Sequence, residues 1–307
     1  MSGTTSASAD RIASGIALRI ASAGFFSIMS AVLKLAATHG VTAPEMLFYR
    51  ALFGLPVVLV WVLTTQEIAV LKTERPWAHL FRSALGIASI LCTFQALTLL
   101  TLPDAATLGF TAPIFATILA ALVLKEAIGR HRWIAVLVGF VGVAVVLRPG
   151  AGHAPPPAGV VFGLLAAVGT AGVTVTLRQL KDTEQVSAIV FWFFSASVVV
   201  GALMLPFFGR WHDLSTYGLL AAGGVAGALA QLSSAASLKA APVATVAPFD
   251  YLQIVGAVVF GWWLMNSPPS LNTLVGGALI AASGLYTVWR EHRRHRDHLV
   301  QTTSAPV

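Results

Sequence analysis

Uncharged apolar runs recur along this chain, and they restrict its fold more than any other feature of the sequence. Residues 105–124 form one such run, and residues 133–147 form another after a short basic turn. A helix of about 20 apolar residues crosses the hydrocarbon core of a bilayer with its backbone groups satisfied internally. Hydrophobic residues make up 57% of the chain and charged residues 10%, which leaves too little polar surface for a water-soluble fold. The sequence therefore predicts an all-α membrane protein.

Ten apolar segments of this kind can be delimited, five on each side of a proline-rich stretch. They cover about residues 12–37, 42–63, 77–100, 105–124 and 133–147 in the first half, and 158–176, 187–208, 216–238, 243–264 and 271–289 in the second. We expect a mobile polar tail (1–11), a first repeat (12–150), a linker (151–157), a second repeat (158–291) and a basic, polar tail (292–307).

The two halves repeat each other in sequence. With a fixed offset of 138 residues, Ala106-Thr107 aligns with Ala244-Thr245, and Gly139 aligns with Gly277. Because each repeat has an odd number of spans, the second copy enters the membrane from the opposite side. Inverted repeats are typical of secondary transporters, which bind their cargo near the bilayer midplane between the halves. The prediction is ten transmembrane helices arranged as two inverted five-helix repeats.

Basic residues orient the predicted spans, since cytoplasmic loops carry an excess of lysine and arginine. With the N-terminus inside, thirteen of the nineteen basic residues fall on the cytoplasmic side. They are Arg11, Lys72, Arg75, Lys125, Arg130, Arg132, Arg178, Lys181, Lys239, Arg290, Arg293, Arg294 and Arg296. We therefore expect a multi-pass protein of the inner (cytoplasmic) membrane with both termini in the cytoplasm. The net charge of +7 belongs to these turns, so no nucleic-acid partner is expected.

A set of motifs links the chain to a known family. The first half contains Pro103-Asp104-Ala105-Ala106-Thr107, Pro113, Lys125-Glu126, Gly139-Phe140-Val141-Gly142 and Arg148-Pro149-Gly150, and the second contains Ala244-Thr245, Tyr251, Gly276 and Gly284. This pattern resembles the EamA repeat of the drug/metabolite transporter superfamily over about residues 12–291. One departure is Met265-Asn266-Ser267, where the family often has an acidic residue. The resemblance implies two five-helix repeats and transport of a small organic solute, and it leaves the substrate open.

Three function classes compete for such a chain. A secondary transporter explains the repeat, the interrupted helices and the charges inside the spans. A membrane enzyme is disfavoured because the sequence contains no G-x-S-x-G or H-E-x-x-H motif, so we expect neither an enzyme nor a cofactor or metal site. A non-transporting subunit would have no need for buried charges in both halves. Partners are then a small-molecule substrate, the lipid bilayer and candidate coupling protons, for a monomer or a homodimer.

Polar residues beside two prolines mark the candidate pathway for substrate and protons. Asp250 lies in the ninth predicted span next to Pro248, with Tyr251 beside it and Gln253 on the same helix face. A proline frees a backbone carbonyl, which must face protein or water rather than lipid. Asp250 is therefore interpreted as a proton-coupling residue, with a structural partner of Arg82 or of a backbone group as the alternative.

The fourth predicted span carries a similar arrangement. Thr107, Phe110 and Thr111 lead towards Pro113 and add a polar stripe with one aromatic ring. Interrupted helices at corresponding positions of two repeats point to a transport site. Trp192 is also a candidate, because the other tryptophans fall at span ends; a lipid-facing ring is the alternative.

Charged residues within the first three spans form a second group of candidates. Lys34, Glu45 and Arg50 are expected at similar depth, either as a mutually neutralised ion network or as an anion-binding or gating cluster. Arg82, near the other end of the third span, either stabilises an interface or binds a ligand, and Arg19 is expected to reach the lipid headgroups.

These features favour two substrate classes. Aromatic residues such as Phe110, Trp192 and Tyr251 suit an amino-acid-like solute. The basic set Lys34, Arg50 and Arg82 suits instead an anionic, nucleotide-like or vitamin solute.

Overall fold

The computed structural model describes residues 3–65, 71, 73, 75–123, 125, 129–147, 155–180 and 185–303. All regular elements within these ranges are helical, which confirms the predicted all-α class for this part of the chain. Most of the predicted linker 151–157, together with Glu126 and Arg148, lies outside the described residues.

The helices follow the predicted order. The first half contains α1 (Gly3–Thr38), α2 (Ala43–Thr65), α3 (Pro76–Leu99), α4 (Leu102–Gly109), α5 (Ala112–Val123) and α6 (Arg130–Leu147). The second half contains α7 (Pro157–Leu180), α8 (Val186–Phe208), α9 (Leu214–Ala240), α10 (Val243–Val246), a 3₁₀ helix (Ala247–Tyr251), α11 (Leu252–Met265) and α12 (Leu271–Thr303).

Membrane-spanning length is reached by nine of these segments within the described ranges, and α4 and α5 together make one of them. They coincide with all predicted spans except the ninth, residues 243–264. There the chain is divided among α10, the 3₁₀ helix and α11, and the longest piece has only 14 residues. Pro248 explains the division, because it supplies no backbone N–H and its ring excludes the carbonyl of residue 244.

The two ends of the chain are more helical than expected. Helix α1 begins at Gly3, within the predicted mobile tail 1–11, and α12 continues to Thr303, well into the predicted tail 292–307. Neither extension contains a proline or an internal glycine. Extending an existing helix by one residue is much easier than starting a new one, which accounts for both extensions.

Antiparallel helix pairs build the bundle across the two halves. Helix α1 packs along α9 and α3 along α7, while α2 packs on α8 and α6 on α12. Ser237 Oγ, near the end of α9, donates to the carbonyl of Gly15 in the first half of α1 at 2.7 Å, whereas Leu33 near the end of α1 contacts Gly223 in the first half of α9. We call the end of the bundle where α1 begins and α12 ends the terminal face, and the opposite end the far face.

Glycines allow the closest of these contacts. A Cβ atom added to Gly142 in α6 would lie 2.8 Å from the carbonyl oxygen of Gly276 in α12, and one added to Gly276 would lie 2.6 Å from that of Gly142. The two backbones are therefore in direct contact, as small residues permit in membrane helices. The main core cluster, which includes Phe94 and Phe194, joins α1–α3 to α8 and α9.

Candidate functional site

Two helices are interrupted at corresponding positions of the repeats. Helix α4 ends at Gly109, four residues before Pro113, and α5 begins at Ala112. The 138-residue offset aligns Phe110 in this break with Pro248 in the 3₁₀ helix. At this interruption the hydroxyl of Thr111 donates a hydrogen bond to the backbone carbonyl of Leu108, with an oxygen–oxygen distance of 2.6 Å. The prediction of two proline-associated breaks is confirmed.

The two breaks meet in the folded chain. The rings of Phe110 and Tyr251 lie 5.1 Å apart between centroids, and the Tyr251 hydroxyl occupies the space that a Cβ at Gly284 would fill. A cleft of about 10 Å³ lies next to Gly284, between α5, α6 and α12, and has room for about one water molecule. The usual pocket for a metabolite has about 300–1,000 Å³, so this cleft does not hold a metabolite in this conformation.

Thr107 lies one turn before the first break, fully buried against α12. A Cβ at Gly277 would lie 3.3 Å from its Oγ1 atom, and this oxygen has no hydrogen-bond partner among the residues with described positions. Gln253 occupies the first turn of α11, half-buried, one turn after Asp250. Both residues thus flank the meeting point of the breaks.

Asp250 forms an ion pair that crosses between the halves. Its Oδ2 atom accepts a hydrogen bond from Arg19 Nη2 at 2.5 Å, and Arg19 Nη1 donates to Ser234 Oγ at 2.6 Å. The expectation that Arg19 reaches the headgroups is wrong, and so is the alternative in which Asp250 pairs with Arg82. Arg19 was missed as a site residue, although both charges lie about two turns from the same face, and packing of α1 against the 3₁₀ helix joins them.

Trp192 lies apart from this site. Its Nε1 donates to the Leu71 carbonyl at 3.0 Å, near the terminal face, and Trp192 is 39% exposed. Helix α8 packs mainly on α2 and α3 and away from the 3₁₀ helix. The structure therefore does not bring Trp192 together with Phe110 and Tyr251.

Glu45 closes the far face rather than neutralising Arg50. Its Oε2 accepts from the backbone N–H and the hydroxyl of Thr42, at 2.7 and 2.9 Å, as the capping box of α2. Its Oε1 accepts from the backbone N–H of Arg210 at 2.7 Å and contacts His212 Nε2 at 2.9 Å. Glu45 therefore connects the start of α2 to the loop between α8 and α9.

Lys34 also has a different partner from the expected one. Its Nζ donates to the Leu97 carbonyl at 2.8 Å, near the end of α3, where a positive charge complements the helix dipole. Asp104, at the start of α4, accepts from the hydroxyls of Thr101 and Thr273 at 2.7 and 2.6 Å. Mutual neutralisation of Lys34, Glu45 and Arg50 is not found among the described residues, because packing places each beside another element.

Replacement of Glu45 by glutamine is expected to lower the free energy of unfolding by about 1–3 kcal/mol, because an amide nitrogen cannot accept the hydrogen bonds that a carboxylate oxygen accepts. Arg50→Gln should change the stability by the same amount with or without Glu45→Gln, since the two residues do not pair, so the two single effects should add in the double variant. Thermal unfolding of the detergent-purified single and double variants measures this. A double variant that is more stable than the sum of the two single effects would restore the ion-network interpretation.

Arg50 and Arg82 are buried beneath aromatic rings. Arg50 Cζ lies 5.2 Å from the centroid of Phe194, and Arg82 Cζ lies 4.7 Å from that of Phe193. Within the described part of the chain, neither guanidinium has an acidic partner.

Comparison with known proteins adds a family to this geometry. The sequence pattern of the EamA-like transporter family matches residues 13–148 and again residues 157–289. The chain is 29% identical over 280 residues to the pseudopaline exporter CntI of Pseudomonas aeruginosa, which covers 89% of this chain and 95% of that protein.

Two further relatives are named as transporters of other compounds. The S-adenosylmethionine uptake transporter of Rickettsia conorii is 27% identical, over 83% of this chain and 86% of its own length. The riboflavin transporter of Rhizobium johnstonii is 28% identical, over 88% of this chain and 89% of its own length. A solved crystal structure has a similar fold, with a TM-score of 0.65 and 18% identity over 92% of this chain and 98% of its own.

Proposed function

Because the chain belongs to the EamA-like transporter family, we propose that it is a secondary transporter that moves a small organic metabolite by alternating access. The observation that carries this proposal is the contact between two interrupted helices, one from each half, at Phe110 and Tyr251. Interrupted helices at a repeat interface form the binding sites of many secondary transporters. Thr107, Thr111, Asp250 and Gln253 surround this contact and line the proposed pathway.

The proposed architecture is ten membrane crossings in two inverted repeats. The chain from Val243 to Met265 provides the additional crossing, with the 3₁₀ helix as its interruption. Packing supports the inversion: the first span of each half packs on the third span of the other, and the second and fifth spans pack on their own counterparts. A two-fold relation between the halves produces such reciprocal pairs.

Reporter fusions placed after Gly150 and after Val307 should therefore report opposite sides of the membrane. The cytoplasmic side is proposed to be the terminal face, because the basic turns cluster there. Fusions in the inner membrane of a bacterial host measure this directly. Finding both reporters on one side would rule out two inverted repeats of five.

Contacts between the halves provide the gates for alternating access. Arg19 and Asp250 connect α1 to the 3₁₀ helix in the terminal half of the bundle. Glu45 and Asp104 connect the halves at the far face through His212 and Thr273. Both sets are formed in this conformation, so opening to either side requires that one set breaks while the other holds.

The cargo is proposed to be an amino-acid-like metabolite, since aromatic rings meet at the centre of the route. An anionic or vitamin-like solute is the second candidate. It is favoured by Arg50 and Arg82, which have no acidic partner among the residues that the structure describes, and by the riboflavin transporter among the relatives. Proton coupling through Asp250 is part of the proposal, because its carboxylate is 29% exposed and sits at the proposed gate.

Purified protein in liposomes tests the function. Liposomes preloaded with pooled amino acids are expected to exchange them for labelled amino acids outside, with saturable kinetics, whereas protein-free liposomes do not. A second pool containing anionic and vitamin-like metabolites discriminates between the two cargo classes. Binding of these pools without any flux would instead favour a non-transporting membrane subunit.

A further inference from the structure

Two arginines repeat one arrangement on neighbouring helices. Arg50 in α2 is followed four residues later by Gly54, and Arg82 in α3 is followed four residues later by Gly86. Gly54 and Gly86 leave space for the rings of Phe194 and Phe193, respectively, since a Cβ at either glycine would collide with the ring. Each ring thereby approaches the guanidinium one turn away from its glycine. The ring faces thus hold two cations in place, and neither cation pairs with a carboxylate of the described ranges.

Arg50 is the more deeply buried of the two. Its exposed fraction is 1%, its Nε contacts the thioether sulfur of Met29 at 3.3 Å, and its Nη1 has no partner among the residues whose positions are described. Arg19 shows the contrast, because its guanidinium forms an ion pair with Asp250. A ring face and a sulfur atom offset only part of the desolvation of a guanidinium. Arg50 therefore retains unused hydrogen-bonding capacity.

The position of Arg50 suits a ligand that contacts both halves. Met29 belongs to the first half, whereas Phe194 and Gly227 belong to the second. A Cβ at Gly227 would lie 3.0 Å from Arg50 Nε, so the backbone of α9 confines the guanidinium on one side. A planar group with two oxygens matches the fork of an arginine.

We propose that Arg50 binds a carboxylate of the transported solute. This inference builds on the proposed transport function and narrows the cargo to solutes that carry a carboxylate. Arg50 is enclosed in this conformation, so the carboxylate reaches it when the halves separate. Binding would then supply a counter-charge to Arg50, which no acidic side chain in the described part of the chain supplies.

Stability without ligand gives the first test. Arg50→Met removes an unpaired buried charge, so the unfolding temperature of the ligand-free, detergent-purified variant should rise by roughly 2–4 °C. Arg19→Met is the matched control, and its unfolding temperature should fall because Asp250 loses its partner. A fall of equal size in Arg50→Met would assign Arg50 to the framework of the protein and overturn the proposal.

Ligand response gives the second test, with amino acids and their carboxamides as matched probes. The acids should raise the unfolding temperature of the wild type, the amides should not, and Arg50→Met should lose the response. Arg50→Lys keeps the positive charge but lacks the two-pronged guanidinium, so this variant should show a weakened response to the acids. The same variant replaces Arg50→Met in the ligand test if Arg50→Met does not fold. Equal shifts with the amides, or no shift of the wild type with any acid, would overturn the proposal.

Phosphate monoesters added to the same assay identify the competing anion. A response to them in place of the amino acids would also overturn the carboxylate assignment. Transport by the wild type that persists in Arg50→Met would refute this inference while leaving the proposed function intact. Absence of transport from every variant and from the wild type would refute the proposed function itself.

Discussion

Replacement of Asp250 by asparagine is expected to abolish accumulation driven by a pH gradient while leaving substrate binding and counterflow largely intact. The asparagine keeps the shape of the side chain and can still accept a hydrogen bond from Arg19, but it cannot take up a proton. In the wild type, protonation of Asp250 would release Arg19 and open the terminal half of the bundle. Liposomes with an imposed pH gradient measure accumulation, and the same liposomes without a gradient measure counterflow.

Asp104→Asn is the matched control. This carboxylate lies at the start of the interrupted helix in the first half, but its partners are the neutral hydroxyls of Thr101 and Thr273. The control variant should keep its response to the gradient even if its folded yield falls. Gradient-driven accumulation that survives Asp250→Asn would remove the coupling role, and loss of both variants alike would indicate a general effect on folding.

The ion pair itself can be separated from proton coupling. Arg19→Gln leaves the Asp250 carboxylate without its cation and is expected to cost about 3 kcal/mol, the lower end of the range for a buried pair, because Asp250 is 29% exposed. The double variant Arg19→Gln with Asp250→Asn should recover part of this loss in thermal unfolding. Additive losses would show that the two residues do not stabilise each other.

Gly142→Leu is expected to reduce the folded protein to a small fraction of the wild-type yield. The first atom of the new side chain would lie 2.8 Å from the Gly276 carbonyl oxygen, which belongs to the backbone of α12 and cannot rotate away. Overpacking of this kind typically costs about 1–3 kcal/mol even where side chains can adjust, so a larger loss is expected here. Size-exclusion chromatography and thermal unfolding of the detergent-purified variant measure it.

Gly24→Ala provides the control for this substitution. Gly24 lies within α1, and a Cβ there would meet no atom within 4 Å. Alanine also favours a helix over glycine by about 1 kcal/mol, so this variant should be as stable as the wild type or slightly more stable. Similar losses of folded protein in Gly142→Leu and Gly24→Ala would show that the contact between α6 and α12 is not the cause of the destabilisation.

The sequence by itself determined the features that depend on neighbouring residues. Apart from the two chain ends and the divided ninth span, apolar runs of membrane length placed the helix ends to within a few residues. The reason is that the bilayer demands a continuous apolar segment with satisfied backbone groups. Pro113 and Pro248 located both interruptions, since a missing N–H acts on its own helix.

Only the tertiary structure decided which charges meet. Arg19 and Asp250 are 231 positions apart and pair because α1 packs against the 3₁₀ helix. Glu45 and Arg50 lie on the same helix α2 and do not pair, because residues five positions apart on a helix do not face each other. Depth along a helix follows from sequence, but the direction in which a side chain points around the bundle depends on how the helices pack. As a result of the packing, Glu45 binds the backbone N–H of Arg210 in the loop at the far face, and Arg50 has no carboxylate partner among the described residues.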